Sequence, residues 1–147
     1  MVTTSGPLRS HCPINFGLEI FGDKWTLLVL RDLLLKGKRS FKEFQSSEEG
    51  IASNILAERL ARLERTGLVT SARVESDSRQ IHYLPTTDCR ALLPLLVEMA
   101  YWGARHDPRT AAPEDFVQAY ERDRDALVLA MAEVGAQSAG AAQSVRE

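Results

Sequence analysis

The sequence predicts a mostly helical α+β domain of the winged helix-turn-helix class, and three observations point to it. Apolar residues recur at helical spacing along most of the 147 residues. The period changes to two over residues 68–74 and 80–84, which flank a polar turn at residues 75–79 and predict a β-hairpin with a charged tip. Two helical patterns joined by a polar turn stand directly before that hairpin, and this order of elements defines the fold class.

Length and composition predict a folded protein with one main core. A chain of 147 residues fits one domain with a short appendage, and 44% hydrophobic with 26% charged residues argue against disorder. Apolar runs stay shorter than the roughly 20 residues that span a bilayer, and residues 1–12 lack the apolar segment of a signal peptide. Two cysteines suit a reducing compartment, so we expect a cytoplasmic protein without a membrane partner.

The charge balance differs between the segments of the chain. The net charge of −2 taken alone argues against a nucleic-acid binder. Residues 24–106, however, carry 13 Lys and Arg against 10 Asp and Glu, whereas residues 107–147 carry 4 against 8. A local basic face matters more than the total for contact with phosphates, so the mildly basic middle keeps a nucleic-acid partner open.

The chain divides into three predicted parts. Residues 1–11 are small and polar with a Gly-Pro break, which predicts a flexible N-terminus. Residues 12–106 hold the winged helix-turn-helix and the helix that follows it. Residues 107–147 are predicted to form an acidic helical extension after a proline-bounded linker, and the Ala, Gly, Ser and Gln composition from Gly135 onward predicts a frayed tail.

Punctuating residues locate the first two helices. Pro13 opens a helix, because its missing N–H would be unpaired in the first turn anyway, and Gly22 interrupts that helix. Asp23 can cap a second helix, whose apolar stripe begins at Trp25. Residues 36–38 (KGK) supply the cations and the glycine that end it.

The helix-turn-helix pair follows. Ser40 and Glu43 have the spacing of a capping box at the start of a third helix, and residues 46–50 form a polar turn. A fourth, amphipathic helix begins at residue 52 or 53 and stops at Gly67. After the hairpin, one long helix over residues 87–105 is apolar on nearly all sides and must be covered on more than one.

The fourth helix is the predicted DNA-reading element. Its first turn carries small and polar side chains that can approach base edges in a major groove. Asn54 could pair bidentately with adenine, and Ser53 could reach a base or a phosphate. Basic residues before it, along it and at the tip of the wing are predicted to contact phosphates: Lys38, Arg39, Lys42, Arg59, Arg62, Arg65 and Arg79.

A run of motifs in fixed order then resembles a known family. The motifs are residues 12–13 (CP), 22–30 (GDKWTLLVL), 40–44 (SFKEF), 50–51 (GI), 60–69 (LARLERTGLV), 83–86 (YLPT) and 102–103 (WG). They resemble the HxlR-type family of bacterial winged-helix regulators over residues 12–106. The resemblance implies a homodimeric transcription regulator that binds double-stranded DNA and needs no cofactor.

Members of that family dimerise through the N-terminal region and the long helix after the wing, which agrees with the excess of apolar residues on that helix. The residues predicted at the dimer interface are Leu92, Leu95, Leu96, Met99 and Trp102.

Two positions depart from the family pattern. The family often has a serine after the Gly-Ile pair as helix cap, and Ala52 stands there instead. Its wing often carries a proline before the arginine, whereas here the run is residues 77–79 (DSR), and Asp77 would repel phosphate. The wing's contribution to DNA binding is therefore the weaker expectation.

Cys12 carries the main alternative. In some members of the family a cysteine before this proline senses electrophiles or oxidants, so a redox-sensing regulator with an electrophile or small-molecule effector stays open. Cys89, among helix-opening residues, is expected to be inert. A winged-helix module that binds only other proteins is a further alternative.

Neither an enzyme nor a metal site is expected. His11, His82 and His106 lack ligand spacing, and the sequence contains no P-loop, nucleophile elbow or paired carboxylates.

Overall fold

The computed structural model describes residues 1–144 and contains, within them, eight helices and one two-stranded antiparallel sheet. The helices are α1 (Pro13–Phe21), α2 (Thr26–Leu34), α3 (Phe41–Gln45), α4 (Ser53–Arg65), α5 (Thr87–Arg90), α6 (Leu93–His106), α7 (Phe116–Arg122) and α8 (Arg124–Ser144). The strands, β1 (Val69–Val74) and β2 (Asp77–Pro85), follow α4 directly. This order confirms the predicted winged helix-turn-helix fold.

One hydrophobic core holds these elements together. Helices α2 and α4 supply its centre with Leu30, Leu33, Leu56 and Leu60, all at most 2% exposed. Phe44 of α3 is equally buried. Since α3 and α4 share this core, the exposed side of α4 is presented at a fixed angle beside the hairpin.

The start of α3 and the end of α4 are capped as predicted, whereas the start of α4 has no side-chain cap. Ser40 Oγ accepts from the Glu43 N–H (3.3 Å), and Glu43 Oε1 accepts from the Ser40 N–H (3.3 Å), which completes the capping box of α3. Helix α4 begins at Ser53, and Ala52 at its cap has no side chain that could bond the free N–H groups. Gly67 adopts a φ of 84°, so a left-handed glycine ends α4 as predicted.

The hairpin turn is tighter than predicted. Strand β2 begins at Asp77, so only residues 75–76 form the turn, and Arg79 lies within the strand rather than at the tip. The pairing runs regularly from Val69 opposite Pro85 to Arg73 opposite Ile81, and then shifts. That irregularity takes up the extra residues of β2. The polar residues there are compatible with a strand because the hairpin projects into solvent.

The prediction of one long helix over residues 87–105 is wrong in one respect, because this segment forms two helices, α5 and α6. Pro94 stands in the first turn of α6. Proline lacks the N–H that would bond the Arg90 carbonyl, and its ring would clash with that carbonyl, so the helix cannot continue across it.

Both ends of the chain contact the core. Helix α8 continues to Ser144. The frayed tail from Gly135 stays a prediction, and its last residues, 145–147, lie outside the described residues. Gly135 packs on α2 so tightly that a Cβ there would come within 2.0 Å of the Leu34 carbonyl oxygen. At the other end, Val2 packs against the core and the Thr3 N–H donates to the Thr66 carbonyl (3.1 Å). These contacts place Val2 and Thr3 on the core, and the flexibility of residues 1–11 stays a prediction.

None of the helices in the described part of the chain is long and apolar enough to cross a membrane.

Candidate nucleic-acid interface

The outward side of α4 presents the side chains predicted to face DNA bases. Ser53, Asn54 and Ala57 are exposed. Gln45, at the end of α3, donates from Nε2 to Ser53 Oγ (2.6 Å) and so ties the two helices together at this surface. The Asn54 amide has no hydrogen-bond partner among the described residues, which leaves all its donors and acceptors available to a ligand.

Two arginines of α4 turn toward the fold instead. Arg59 Nε lies 3.0 Å from Asp23 Oδ1, and Arg62 Nη2 lies 2.6 Å from Asp23 Oδ2. Arg62 also donates to Thr26 Oγ1 (2.9 Å). Both arginines are about a quarter exposed, and their charge is compensated inside the domain. The structure therefore gives Arg59 and Arg62 a role in fixing α4 against α2.

Asp23 is the acceptor at the centre of this cluster. Its carboxylate also accepts from the Trp25 N–H (2.8 Å), from the Thr26 N–H (3.0 Å) and from the Thr26 hydroxyl (2.5 Å). Burial opposes ionisation of Asp23, but the hydrogen bonds from Thr26, Trp25 and Arg59 outweigh it and hold its pKa well below its usual range. Asp23 thus stays ionised, accepts from N–H groups at the start of α2 although Trp25 is the N-cap residue, and holds the two arginines.

Lys38 and Arg39 are also committed within the domain. Lys38 Nζ donates to Ser47 Oγ (2.6 Å) and lies 3.3 Å from the buried Asp32 carboxylate. Arg39 Nη1 donates to the carbonyls of Leu33 and Lys38, each at 2.8 Å. The structure does not bring these two residues to the exposed side of α4.

Lys42, Arg65 and Arg79 are the predicted phosphate contacts whose side chains are exposed. Lys42 and Arg79 lie on opposite walls of an open groove of about 830 Å³ between α3 and the hairpin. Arg79 Nε is 3.6 Å from the Asp77 carboxylate, which partly offsets its charge, as the sequence pattern suggests. Arg65 projects from the last turn of α4, 4.0 Å from Glu58.

Sequence reasoning missed two exposed residues near this surface. Gln45 bridges to the first turn of α4, and Arg73, on β1, donates to the Ser78 carbonyl (2.6 Å). The alternation of residues in the wing strand could have identified Arg73 as an exposed basic residue. No local signal connects Asp23 with arginines 36 and 39 positions later.

The two cysteines differ in environment. Cys12 is exposed at the N-cap of α1, whereas Cys89 is fully buried. Burial raises the pKa of the Cys89 thiol to about 12, so Cys89 is unreactive at neutral pH. Within the described residues no cluster of His, Cys, Asp and Glu could hold a metal ion.

The predicted interface residues divide between core and surface. Leu96 is 7% exposed and belongs to the core of its own chain, while Leu92 and Leu95 are half-buried. Met99 and Trp102 are 50% and 65% exposed.

Helix α1 adds two further exposed apolar side chains. Ile14 is 75% exposed and Leu18 is 51% exposed.

Comparison with known proteins identifies the family. The model of the HxlR-like helix-turn-helix family matches residues 20–111. The uncharacterised HTH-type transcriptional regulator YdeP of Bacillus subtilis strain 168 is 31% identical over 98 residues, which are 67% of this chain and 76% of YdeP.

Two solved structures share the fold. PA1607, a candidate transcription factor, superposes with a TM-score of 0.64 at 37% identity, over 71% of this chain and 73% of its own. The redox regulator HypR in its oxidised form superposes with a TM-score of 0.57 at 28% identity, over 65% and 98% of the two chains. Together with the element order and the exposed side of α4, these matches show that the chain belongs to the HxlR-like helix-turn-helix family.

Proposed function

We propose that this member of the family is a sequence-specific DNA-binding transcriptional regulator that acts as a homodimer in the bacterial cytoplasm. The main observation behind this proposal is the exposed first turn of α4, where Asn54 has no partner among the described residues. Helix α4 is followed directly by the hairpin wing. Each subunit would place α4 in one major groove of a near-palindromic operator, with half-sites about one helical turn apart or a multiple of it. No catalytic role is proposed.

Base and phosphate contacts fall to different residues. Asn54, with its free amide, is proposed to pair bidentately with an adenine, and Ser53 to contact a base or a phosphate beside it. Lys42, Arg65 and Arg79 are proposed to contact phosphates, because their side chains are exposed. The remaining basic residues of the predicted set, Lys38, Arg39, Arg59 and Arg62, make their bonds within the domain and are proposed to act on DNA binding only through the fold.

Dimerisation is supported by apolar side chains that a single chain leaves uncovered. Met99 and Trp102 of α6 and Ile14 and Leu18 of α1 are each at least half exposed. We propose that these residues, with the half-buried Leu92 and Leu95, form the subunit interface. Trp102→Gln is expected to raise the dimer dissociation constant at least tenfold in analytical ultracentrifugation, and an unchanged constant would contradict this assignment.

A binding assay tests the regulator function. Fragments of the DNA that flanks the gene are offered to the protein with an excess of unrelated competitor DNA. We expect one fragment to be retained, with an affinity that falls steeply with salt because phosphate contacts release counterions. Loss of all binding under competitor would favour a winged-helix module that binds proteins instead.

A second candidate function concerns Cys12. Its thiol is exposed, and HypR, which shares the fold, is a redox regulator. We propose that alkylation of the Cys12 thiolate by an electrophile, or its oxidation by a peroxide to the sulfenic acid with release of water, changes DNA affinity. Mass spectrometry after quinone or peroxide treatment, paired with DNA binding by wild type and Cys12→Ser, tests this. Modification of Cys12 without a change in affinity would remove the redox function and leave the DNA-binding function intact.

A further inference from the structure

A cavity of about 90 Å³ lies between α2, the end of β2, α5, α6 and α8. Its walls are apolar except for two arginines. The lining residues are Leu33, Leu34, Arg39, Pro85, Arg90, Leu93, Ala132, Gly135 and Ala136. The three from α8 lie outside residues 20–111, so this cavity needs the C-terminal extension of this chain in addition to the family domain.

The two arginines differ in exposure, since Arg39 is half-buried and Arg90 is exposed, and neither forms an ion pair with a described residue. Arg39 uses Nη1 for the Leu33 and Lys38 carbonyls, which leaves its Nε and Nη2 without a hydrogen-bond partner in the described part of the chain. The Arg90 side chain makes no hydrogen bond or ion pair with any described residue, and no carboxylate lines the cavity. Burial, the larger cause, and the neighbouring Arg90 lower the pKa of Arg39, and the opposing effects of Glu43 and Cys89 offset this only in part.

Size and lining restrict the ligand class. An apolar cavity of 150 Å³ can hold benzene, so 90 Å³ leaves room for about four carbon atoms. Guanidinium groups bind carboxylates through paired N–H donors. Inorganic phosphate would satisfy the arginines but would leave the leucine and alanine walls in contact with a strongly hydrated ion. A short hydrocarbon chain ending in a carboxylate matches both halves of the cavity.

We propose that this cavity binds a short-chain aliphatic monocarboxylate, with its carboxylate on Arg39 and Arg90 and its hydrocarbon against Leu33 and Leu93. Butyrate is the probe of matching size, because its three-carbon chain fits the cavity while its carboxylate lies outward on the exposed Arg90. The bound carboxylate offsets part of the positive charge of the two guanidinium groups, and its hydrocarbon covers apolar surface on α2 and α6.

The position of Arg39 connects this cavity to the helix-turn-helix. Its carbonyl accepts from the Tyr83 N–H of β2 (2.8 Å), and the next residue, Ser40, caps α3. A ligand that orders Arg39 therefore acts one residue from the start of α3 and on the strand of the wing. Occupancy is expected to change the affinity for DNA, and this regulatory consequence rests on the proposed function, whereas ligand binding itself does not.

Isothermal titration calorimetry without DNA tests the site. Wild-type protein is titrated with sodium butyrate, with butyramide, which has the same shape without charge, and with inorganic phosphate. We expect saturable binding of butyrate, at least tenfold weaker binding of butyramide, and weaker binding of phosphate. Absence of saturable butyrate binding would overturn the proposal. Equal binding of butyramide, or tighter binding of phosphate, would overturn it as well.

Three variants locate the ligand. Arg90→Gln is expected to weaken butyrate binding at least tenfold, and Ala132→Leu, which fills the cavity and keeps both arginines, is expected to weaken it similarly. Arg105→Gln removes an exposed arginine of α6 away from the cavity and is expected to bind as wild type. Thermal unfolding of each variant confirms its fold, and butyrate binding retained by Arg90→Gln or by Ala132→Leu would contradict this location.

Discussion

Arginines occur on two sides of α4, where one side packs on the domain and the other is exposed. Arg59 and Arg62, three positions apart, face α2 and share the carboxylate of Asp23. Arg65 and Asn54 lie on the exposed side. Among the described residues, Arg65 pairs only with Glu58, at 4.0 Å, and Asn54 has no partner. An arginine on a recognition helix is therefore not by itself a DNA contact. Whether it can reach DNA depends on whether a carboxylate inside the domain already binds it.

The largest effect is expected at Asp23. Asp23→Ala would leave the two guanidinium groups of Arg59 and Arg62 without their carboxylate in a partly buried site. We expect the free energy of unfolding to fall by about 3 kcal/mol, measured by urea denaturation. Glu48→Ala removes an exposed carboxylate from the turn between α3 and α4 and should change it by less than about 0.5 kcal/mol. Equal effects of the two substitutions would show that Asp23 does not organise α4.

Substitutions on the exposed side of α4 are expected to change DNA affinity rather than stability. Asn54→Ala should leave the unfolding free energy within about 0.5 kcal/mol of wild type, because the side chain is exposed. Its affinity for the operator should fall by about 2 kcal/mol, through relaxed specificity at one base pair. Competition with operators substituted at each position measures this. A uniform loss over all sequences would assign Asn54 to phosphate contact.

The pH dependence of the unfolding free energy tests the role of the Asp23 charge. Its pKa in the folded protein lies below its ordinary value of 3.8, so its ionised form stabilises the fold above about pH 4. That stabilisation is lost progressively as the pH falls from about 4 toward the lower folded pKa. Asp23→Asn keeps acceptors for the Trp25 and Thr26 N–H groups but lacks the charge.

The stability gap between wild type and Asp23→Asn should therefore narrow as the pH is lowered below about 4. Urea denaturation of both proteins between pH 3 and pH 7 measures the gap. A gap that is constant over this range would show that the charge of Asp23 contributes nothing.

Local signals in the sequence predicted the fold well. The capping box of Ser40 and Glu43, the glycine that ends α4 and the alternating hairpin strands each depend on a few neighbouring residues, and the structure contains all three. Pro94 is also a local signal. The apolar pattern around it favours an unbroken helix, but the steric constraint of the proline ends that helix and starts α6.

Contacts between distant segments were not predictable in the same way. The docking of Gly135 on Leu34 gives α8 a place on the core, although its composition predicts fraying. The choice between fold and DNA for the arginines of α4 depends on Asp23, which is 36 positions from Arg59. A single sequence shows which residues are charged, whereas partners this far apart are fixed only by tertiary packing.

The most direct measurement compares Arg62→Gln with Arg65→Gln on one operator, with stability and DNA affinity determined for both. Arg65→Gln should weaken binding to all sequences by about 1 kcal/mol, reduce the salt slope by about one and leave stability unchanged. Arg62→Gln should lower the unfolding free energy by about 1 to 2 kcal/mol and keep the salt slope of wild type. The reverse outcome, a reduced salt slope with unchanged stability for Arg62→Gln, would contradict the division of α4 into a side that holds the fold and a side that contacts DNA.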